Sequence, residues 1–525
     1  MDFRFAAIFN RGITVELLND GCYFSGKTVS VFVNGEEVLR EERNVFTLTG
    51  LQPDNDYEIL VLDGEEKISH TVHTKAESVL LNVKTFGAAG DGVTDDTRTL
   101  QAAVYACPKG GTVYLPAGTY LCTPLFLRSD MTLYLEEGAV ILGDPDRTHY
   151  PMLPGMIRGT DEVSEYNLSS WEGNPLTSFA SLITAIDVKN LDVLGPGTID
   201  GNAQNGDWWI NAKKKHIAWR PNLVFLNHCE HVNMAALTIR NSPCWTVHPY
   251  YSDHLRFLDL TIQNPYDSPN TDGFDPESCT DVKLVGTRIS VGDDCIAVKS
   301  GKIYMSMEHF KRTTGIEIRN CSLERGHGSV TVGSEIAGGV TDMHVHHCLF
   351  TQTDRGIRMK TRRGRGSRSV LDDIVFDHII MDRVHMALTV NMFYYCDPDG
   401  HSDYVQNQDP LPVTEETPRI GTLRVKDVKC TGAEACFACV YGLPEMPVER
   451  IDLENIDVSF LPQEQRTARE PIMMDHFMKM DGKSFYLRNV KEVRLRGITV
   501  RGSADSAPEL INVGAQDVEQ LDYQS

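Results

Sequence analysis

Four short segments of this chain carry residues able to do acid–base chemistry. NTDGFDP holds Asp272, VGDDCIAVKSG holds Asp293 and Asp294, RGHGSV holds His327, and RGIRMKT holds Arg358 and Lys360. An adjacent acid pair such as Asp293-Asp294 is commonly no more than a solvated turn. Here a third acid precedes the pair, and a histidine and a basic pair follow it. Carboxyls gathered in one place raise one another's pKa, so one can keep a proton as general acid while another holds a water as base. That division of labour is glycoside hydrolysis. Arg358 and Lys360 alternate, so on a strand they share a side. Together they offer a guanidinium fork and a point charge to an anionic group.

The basic pair belongs to a longer run. Arg355, Arg358, Lys360, Arg362, Arg363, Arg365 and Arg368 follow one another with no acid between 355 and 368. Such a run is either a solvated loop or a platform that reads carboxylates, and the second reading adds Arg362 and Arg363 to the candidate substrate-binding residues. In a chain of net charge −23, a local basic patch would offset the general repulsion of a polyanion.

Residues so far apart need a repetitive scaffold to bring them together, and from about residue 126 the sequence repeats. HVNMAALTIRN (231–241), HLRFLDLTIQN (254–264), DVKLVGTRISV (281–291) and GIEIRNCSLER (315–325) share one register. DMHVHHCLFTQ (342–352), DIVFDHIIMDR (373–383), TLRVKDVKCTG (422–432), RIDLENIDVSF (450–460) and EVRLRGITVRG (492–502) continue it. Each segment alternates, turns over two residues and alternates again. This pattern predicts a right-handed parallel β-helix, with inward aliphatic residues stacked from coil to coil and variable loops leaving at the turns. Asn241 and Asn264 close their segments at matching places, which suggests a turn ladder. Aligning the coils puts the four chemical motifs on one face.

Two elements precede the repeat. Residues 1–76 read as a small β-sandwich of short strands, with an Asn-Gly hairpin signal in KTVSVFVNG. Leu51, Pro53, Tyr57 and Val61 fall in an arrangement that resembles the tyrosine corner of fibronectin type III domains. The catalytic unit would then span 77–525. Within it, about 92–106 reads as an amphipathic helix plugging the open end of the solenoid. Thr94 or Asp95 is placed to cap it, and Leu100, Ala103 and Val104 form its apolar face.

Composition narrows the classes. The 525 residues are 41% hydrophobic and 23% charged, ordinary globular usage. The acidic balance argues against a nucleic-acid partner, and no apolar stretch is long enough for a membrane span. Thirteen cysteines are scattered singly. Only Cys436 and Cys439 are close, a weak metal or redox signal on their own. Buried reduced thiols are expected, and with no leader-like start the expected location is cytoplasmic.

The ordered set NTD, GDD, GHG and R-x-K on a β-helix resembles the polygalacturonase family, glycoside hydrolase family 28, over about residues 80–500. The resemblance implies cofactor-free and metal-free hydrolysis of α-1,4-galacturonan with inversion. Asp293 would be the general acid, and Asp272 and Asp294 the pair activating water. His327 would support the acid, and Arg358 and Lys360 would bind the substrate carboxylate. A family tyrosine lies about 34 residues beyond the basic pair, where NMFYYCDP offers Tyr394 or Tyr395. The usual R-I-K reads Arg358-Met359-Lys360, a mild change at a core-facing position. The intact Asp293-Asp294 favours polygalacturonate over rhamnogalacturonan.

The front domain together with FGAAGDGVTDD and GDDCIAVKSG is most like bacterial exopolygalacturonases. Segments 144–180, 201–222 and 391–421 could wall the groove. Trp171, Trp208, Trp209 and Trp219 could stack on sugars or simply pack the loops. The alternatives are endo action, a rhamnogalacturonan or xylogalacturonan hydrolase, a calcium-dependent lyase using the three aspartates as ligands, or a non-catalytic binding protein. For an inverting hydrolase the Asp293 carboxyl is expected about 6.5–9.5 Å from Asp272 or Asp294, whereas separations nearer ~5 Å to both would point to retention or to a metal site.

Overall fold

The computed structural model describes residues 2–161 and 163–524. The repeats form the rungs of a parallel β-helix in the register the sequence predicts. The second residue of each repeat meets its counterpart one coil on. Val232 lies beside Leu255 and Leu255 beside Val282, and the column continues through Ile316, Met343, Ile374, Leu423 and Ile451 to Val493. Every member of this column is at most 2% exposed. A slip of one residue would turn a whole strand's apolar side chains outward, so the alternation locks the register. The bends recur as well. Asn320, His347, His378, Asp427 and Asn455 occupy the turn with φ between 50 and 54°, a left-handed conformation in which such residues are enriched. Asn241 and Asn264 each reach back one coil, but through different atoms. Asn241 Nδ2 donates to Asp200 Oδ1 at 2.9 Å, whereas Asn264 Oδ1 accepts the Ser242 N–H at 2.8 Å.

Helix Thr97–Ala106 buries Leu100, Ala103 and Val104 in the same apolar core as the first coils. It starts later than expected, because Asp91–Asp95 pairs as a strand with the segment Gly118–Cys122. The capping position is Asp96, not Thr94 or Asp95. Its carboxylate is turned away to accept the N–H groups of Ala89 and Gly90, while Asp95 Oδ1 accepts the Thr97 N–H at 3.0 Å.

The first seven strands form two antiparallel sheets, one of three strands and one of four, around Phe3, Ile13, Val15, Val29, Phe46 and Ile59. Asn34-Gly35, both at positive φ, joins strands Phe24–Val33 and Glu36–Arg43. Tyr57 completes the expected corner, its hydroxyl accepting the Gln52 N–H at 2.8 Å. This domain docks on one side of the solenoid. Phe9 and Val45 pack against Tyr134, Leu194, Leu258 and Val285, and Glu16 receives Arg319 through two bonds of 2.7 and 2.9 Å.

Candidate active site

The site is built on strands Ile296–Val298, Val330–Gly333 and Arg355–Lys360, which lie side by side with Ile296, Val330 and Ile357 in one column and Val298, Val332 and Met359 in another. These residues point into the core, and Met359 is 1% exposed, so methionine fills the isoleucine position as expected. The residues between them face out. Arg358 stands beside Thr331, and Lys360 beside Gly333. Gly333, at φ 116°, is required there, because a Cβ would lie 2.1 Å from the Lys360 carbonyl oxygen.

The structure brings Asp272, Asp293, Asp294, His327, Arg358 and Lys360 together. One carboxylate oxygen from each aspartate lies within 4.8 Å of the other two. Lys360 Nζ is 2.9 Å from Asp294 Oδ2, and Arg358 Nη1 is 3.2 Å from Asp294 Oδ1. His327 Nδ1 is 3.3 Å from Asp293 Oδ1. The wide carboxyl separation expected for inversion is not found between these nearest oxygens. Asp293 and Asp294 are chain neighbours and Asp272 sits one coil away, so the strand spacing of about 4.8 Å sets the approach.

Beneath the trio lies an ionic layer that the motif reading left unassigned. Lys299, 3% exposed, places Nζ 3.3 Å from Asp275, 3.2 Å from Glu335 and 3.8 Å from Asp272. It also sits 4.1 Å from the centre of the Trp245 ring. Lys299 belongs to VGDDCIAVKSG and falls two residues after outward-facing Ala297, so strand alternation could have found it. Asp275, three residues after Asp272 through an irregular bend, could not be placed by period.

The charges divide the three aspartates. Burial, with Asp293 and Asp275 close by, pushes the Asp272 carboxyl well above the usual range. Burial acts the same way on Asp294, but Lys360 and Arg358 override it and hold that carboxyl well below. For Asp293 burial is likewise overridden, here by the hydrogen bond from His327. The same bond raises His327 above its ordinary value. Burial and the neighbouring Arg358 draw Lys360 down. A cation held by the three carboxylates would meet a site where Lys299, Lys360 and Arg358 already supply positive charge.

Arg362 and Arg363 are not part of this constellation. Arg362 pairs with Asp399 at 2.7 Å and with Asp397. Arg363, 1% exposed, is held by Glu445 at 2.6 and 2.9 Å and by the carbonyls of Tyr404, Val405 and Asn407. Both act as pins for the 391–421 segment, their donors turned into the protein. Of the two tyrosines, Tyr394 lines the site, its ring 5.3 Å from Lys360 Nζ, whereas Tyr395 stacks on His401. The four tryptophans pack loops. Trp208 is fully buried with Tyr150 and Phe179, Trp171 stacks on Trp219 at 4.6 Å, and Trp209 Nε1 bonds the Ser242 carbonyl. Cys436 and Cys439 are buried strand thiols.

Two neighbouring spaces share Lys213, Asn270, Asp293 and His327 in their linings. An inner pocket of ≈ 300 Å³ is lined by Asp272, Asp294, Arg358, Lys360, Lys299 and Tyr394, with Glu172, Lys213, Glu335, Asp397 and Met473 as walls. An outer cleft of ≈ 720 Å³ runs along Lys213, Lys214, Tyr266 and Asn270. Asp293 and His327 border both spaces, while Asp272 and Asp294 border only the inner one. The three expected segments supply Glu172, Lys213 and Asp397 to the walls, where Lys213 pairs with Glu172 and Lys302 Nζ meets Asp397 at 3.0 Å, while Glu335 and Met473 come from outside them. No described residue of 1–76 lines either space.

A parallel β-helix with a carboxylate trio and a basic pair in a groove defines a polysaccharide-processing enzyme. The sequence model of the family described as Glycosyl hydrolases family 28 matches residues 157–464, and the chain belongs to that family. A "Probable polygalacturonase" of Vitis vinifera is 31% identical over 71% of this chain and 73% of its own length. An "Exo-poly-alpha-D-galacturonosidase" of Dickeya chrysanthemi is 26% identical over 69% of this chain and 66% of its own. Among solved structures, the family 28 exopolygalacturonase of Yersinia enterocolitica has the same fold, with a TM-score of 0.69, 19% identity and 98% of both chains covered.

Proposed function

We propose that this enzyme hydrolyses α-1,4-galacturonosidic bonds of polygalacturonate or oligogalacturonides, and that it works from a chain end. The observation carrying the proposal is the position of Asp293 between the inner pocket and the outer cleft. Asp293 is the one aspartate of the trio that can reach both the ring under attack and the group that leaves, so it is the proton donor. Asp272 and Asp294 hold the attacking water, which approaches the sugar from the face opposite the leaving oxygen. The attacked ring therefore lies in the inner pocket and the leaving chain in the outer cleft. Walls around the inner pocket leave room for a terminal unit, so the unit released comes from the non-reducing end.

Burial and the nearby acids favour a proton on Asp272, and the hydrogen bond to Asp293 favours the protonated His327 imidazole. The trio titrates as one group, and substrate, itself anionic, favours a proton on Asp293. Arg358 and Lys360 keep donors free beyond Asp294 for the sugar carboxylate, and the Tyr394 ring shapes that side of the pocket. The front domain, whose corner resembles fibronectin type III, is a docked spacer outside the groove. Thirteen free thiols, eleven of them buried, support a cytoplasmic location.

The test is a digest of polygalacturonate split with and without chelator and read by chromatography and ultraviolet absorbance. Saturated monogalacturonate accumulating alone, insensitive to chelator, is the expected result. A ladder of saturated oligomers would replace exo action with endo. Ultraviolet-absorbing, chelator-sensitive products would make the trio a calcium site and the enzyme a lyase.

A further inference from the structure

Glu335 is an acid in a pocket built for a polyanion, and the reaction has no use for it. It lines the inner pocket and is only 7% exposed. Its Oε2 takes Lys299 Nζ at 3.2 Å and its Oε1 takes the Ser334 hydroxyl at 2.8 Å. Burial opposes its charge, but Lys299, with Lys302, Arg365 and Lys360 beyond, holds it ionised well below the usual range. The turn at Gly173 lies directly against it. The Gly173 carbonyl accepts the Lys302 N–H at 3.0 Å, and a Cβ on Gly173 would sit 2.9 Å from Glu335 Cγ. Glu335 thus stands against the turn at Gly173, whose neighbour Glu172 also lines the pocket.

A carboxylate offers about four acceptor positions, and two are filled. It repels a uronate carboxyl and accepts hydrogen bonds from hydroxyls. The neighbouring acids are committed elsewhere, since Asp397 is taken by Lys302 and Arg365 and Glu172 by Lys213. In a 1→4-linked chain the 4-hydroxyl is free only on the non-reducing terminal unit. We propose that Glu335, ion-paired with Lys299, is the specificity-determining residue that reads the free hydroxyls of the terminal sugar, the 4-hydroxyl above all. This rests on the exo reading given above. Its consequence is discrimination against chain ends that lack that hydroxyl, such as the 4,5-unsaturated ends left by β-elimination.

The test compares kcat/KM for saturated trigalacturonate and for 4,5-unsaturated trigalacturonate in the wild-type enzyme, Glu335→Gln and Glu335→Asp. Wild type is expected to favour the saturated trimer, and Glu335→Gln to reduce that ratio by about 10- to 100-fold, the worth of a hydrogen bond to a charged group. Glu335→Asp keeps the ion pair with Lys299 but shortens the reach, so it should raise KM for the saturated trimer and leave the thermal midpoint near wild type. The difference in ring shape between the two trimers is the same for all three enzymes and cancels from the comparison. A Glu335→Gln enzyme that loses turnover while keeping the wild-type ratio would reduce Glu335 to a partner of Lys299 and overturn the inference. An oligomer ladder from the wild-type enzyme on polygalacturonate would instead overturn the exo reading beneath it.

Discussion

Lys360 Nζ stands 2.9 Å from Asp294 Oδ2, with the two side chains 9% and 2% exposed. The lysine proposed to bind substrate is thus also the group that holds the carboxyl proposed to activate water below its usual range. Replacing it by methionine removes the main force depressing the Asp294 pKa. The proposed base role needs Asp294 ionised, so the loss of activity on acidification should set in at a higher pH in Lys360→Met. kcat/KM at neutral pH should fall by about 10- to 100-fold. A pH–rate profile checks this, and an unmoved acid limb would remove Asp294 from the base role.

Asp293 and Asp272 are separable by the leaving group. Asp293→Asn should lower kcat on natural substrate by roughly 10²- to 10⁴-fold with little change in thermal midpoint, because the side chain is partly exposed. A nitrophenyl galacturonide needs no protonation on departure, so it should restore much of the rate to Asp293→Asn and little to Asp272→Asn. The reverse pattern would exchange the two roles.

Arg358 and Arg363 lie five residues apart and should fail differently. Arg363→Met leaves Glu445, 5% exposed at its side chain, buried without its partner, a loss of about 3–5 kcal/mol. Its folded fraction should bind substrate with an unchanged KM. Arg358→Met should raise KM with a smaller stability change. Denaturation midpoints paired with kinetics on both variants distinguish a pin from a ligand.

The contrast shows what the chain text carries and what it does not. Period-2 alternation with a constant turn made the stack from Val232 to Val493 legible, and with it the side shared by Arg358 and Lys360. Lys299 was within reach of the same rule, two positions from Ala297. Arg362 and Arg363 read like Arg358 because a run of arginines does not say where the strand ends. The strand stops at Lys360, and beyond it Glu445 and Asp399, 82 and 37 residues away, decide where those side chains turn. The close approach of the trio, each aspartate with an oxygen within 4.8 Å of the other two, fits two chain neighbours and an acid on the neighbouring coil, which a general rule on carboxyl separation does not include.

The front domain should loosen in acid. Burial works against the Glu16 carboxylate, but Arg319 and Arg4 override it and hold its pKa below the ordinary 4.5. Its contribution to docking is therefore complete above that value and is lost as pH falls through the lower folded value. Arg319→Met should weaken docking at all pH by leaving Glu16 without its bidentate partner. Limited proteolysis between the domains as a function of pH measures both effects, and equal resistance in wild type and variant would contradict the assignment.

The most direct test of the account follows a galacturonan oligomer carrying a fluorescent tag at its reducing end. With the terminal ring in the inner pocket and the rest of the chain in the outer cleft, the first product should be untagged monogalacturonate, and the tag should step down one unit at a time. Tagged fragments of intermediate length in the first turnovers, or tagged monomer, would contradict it.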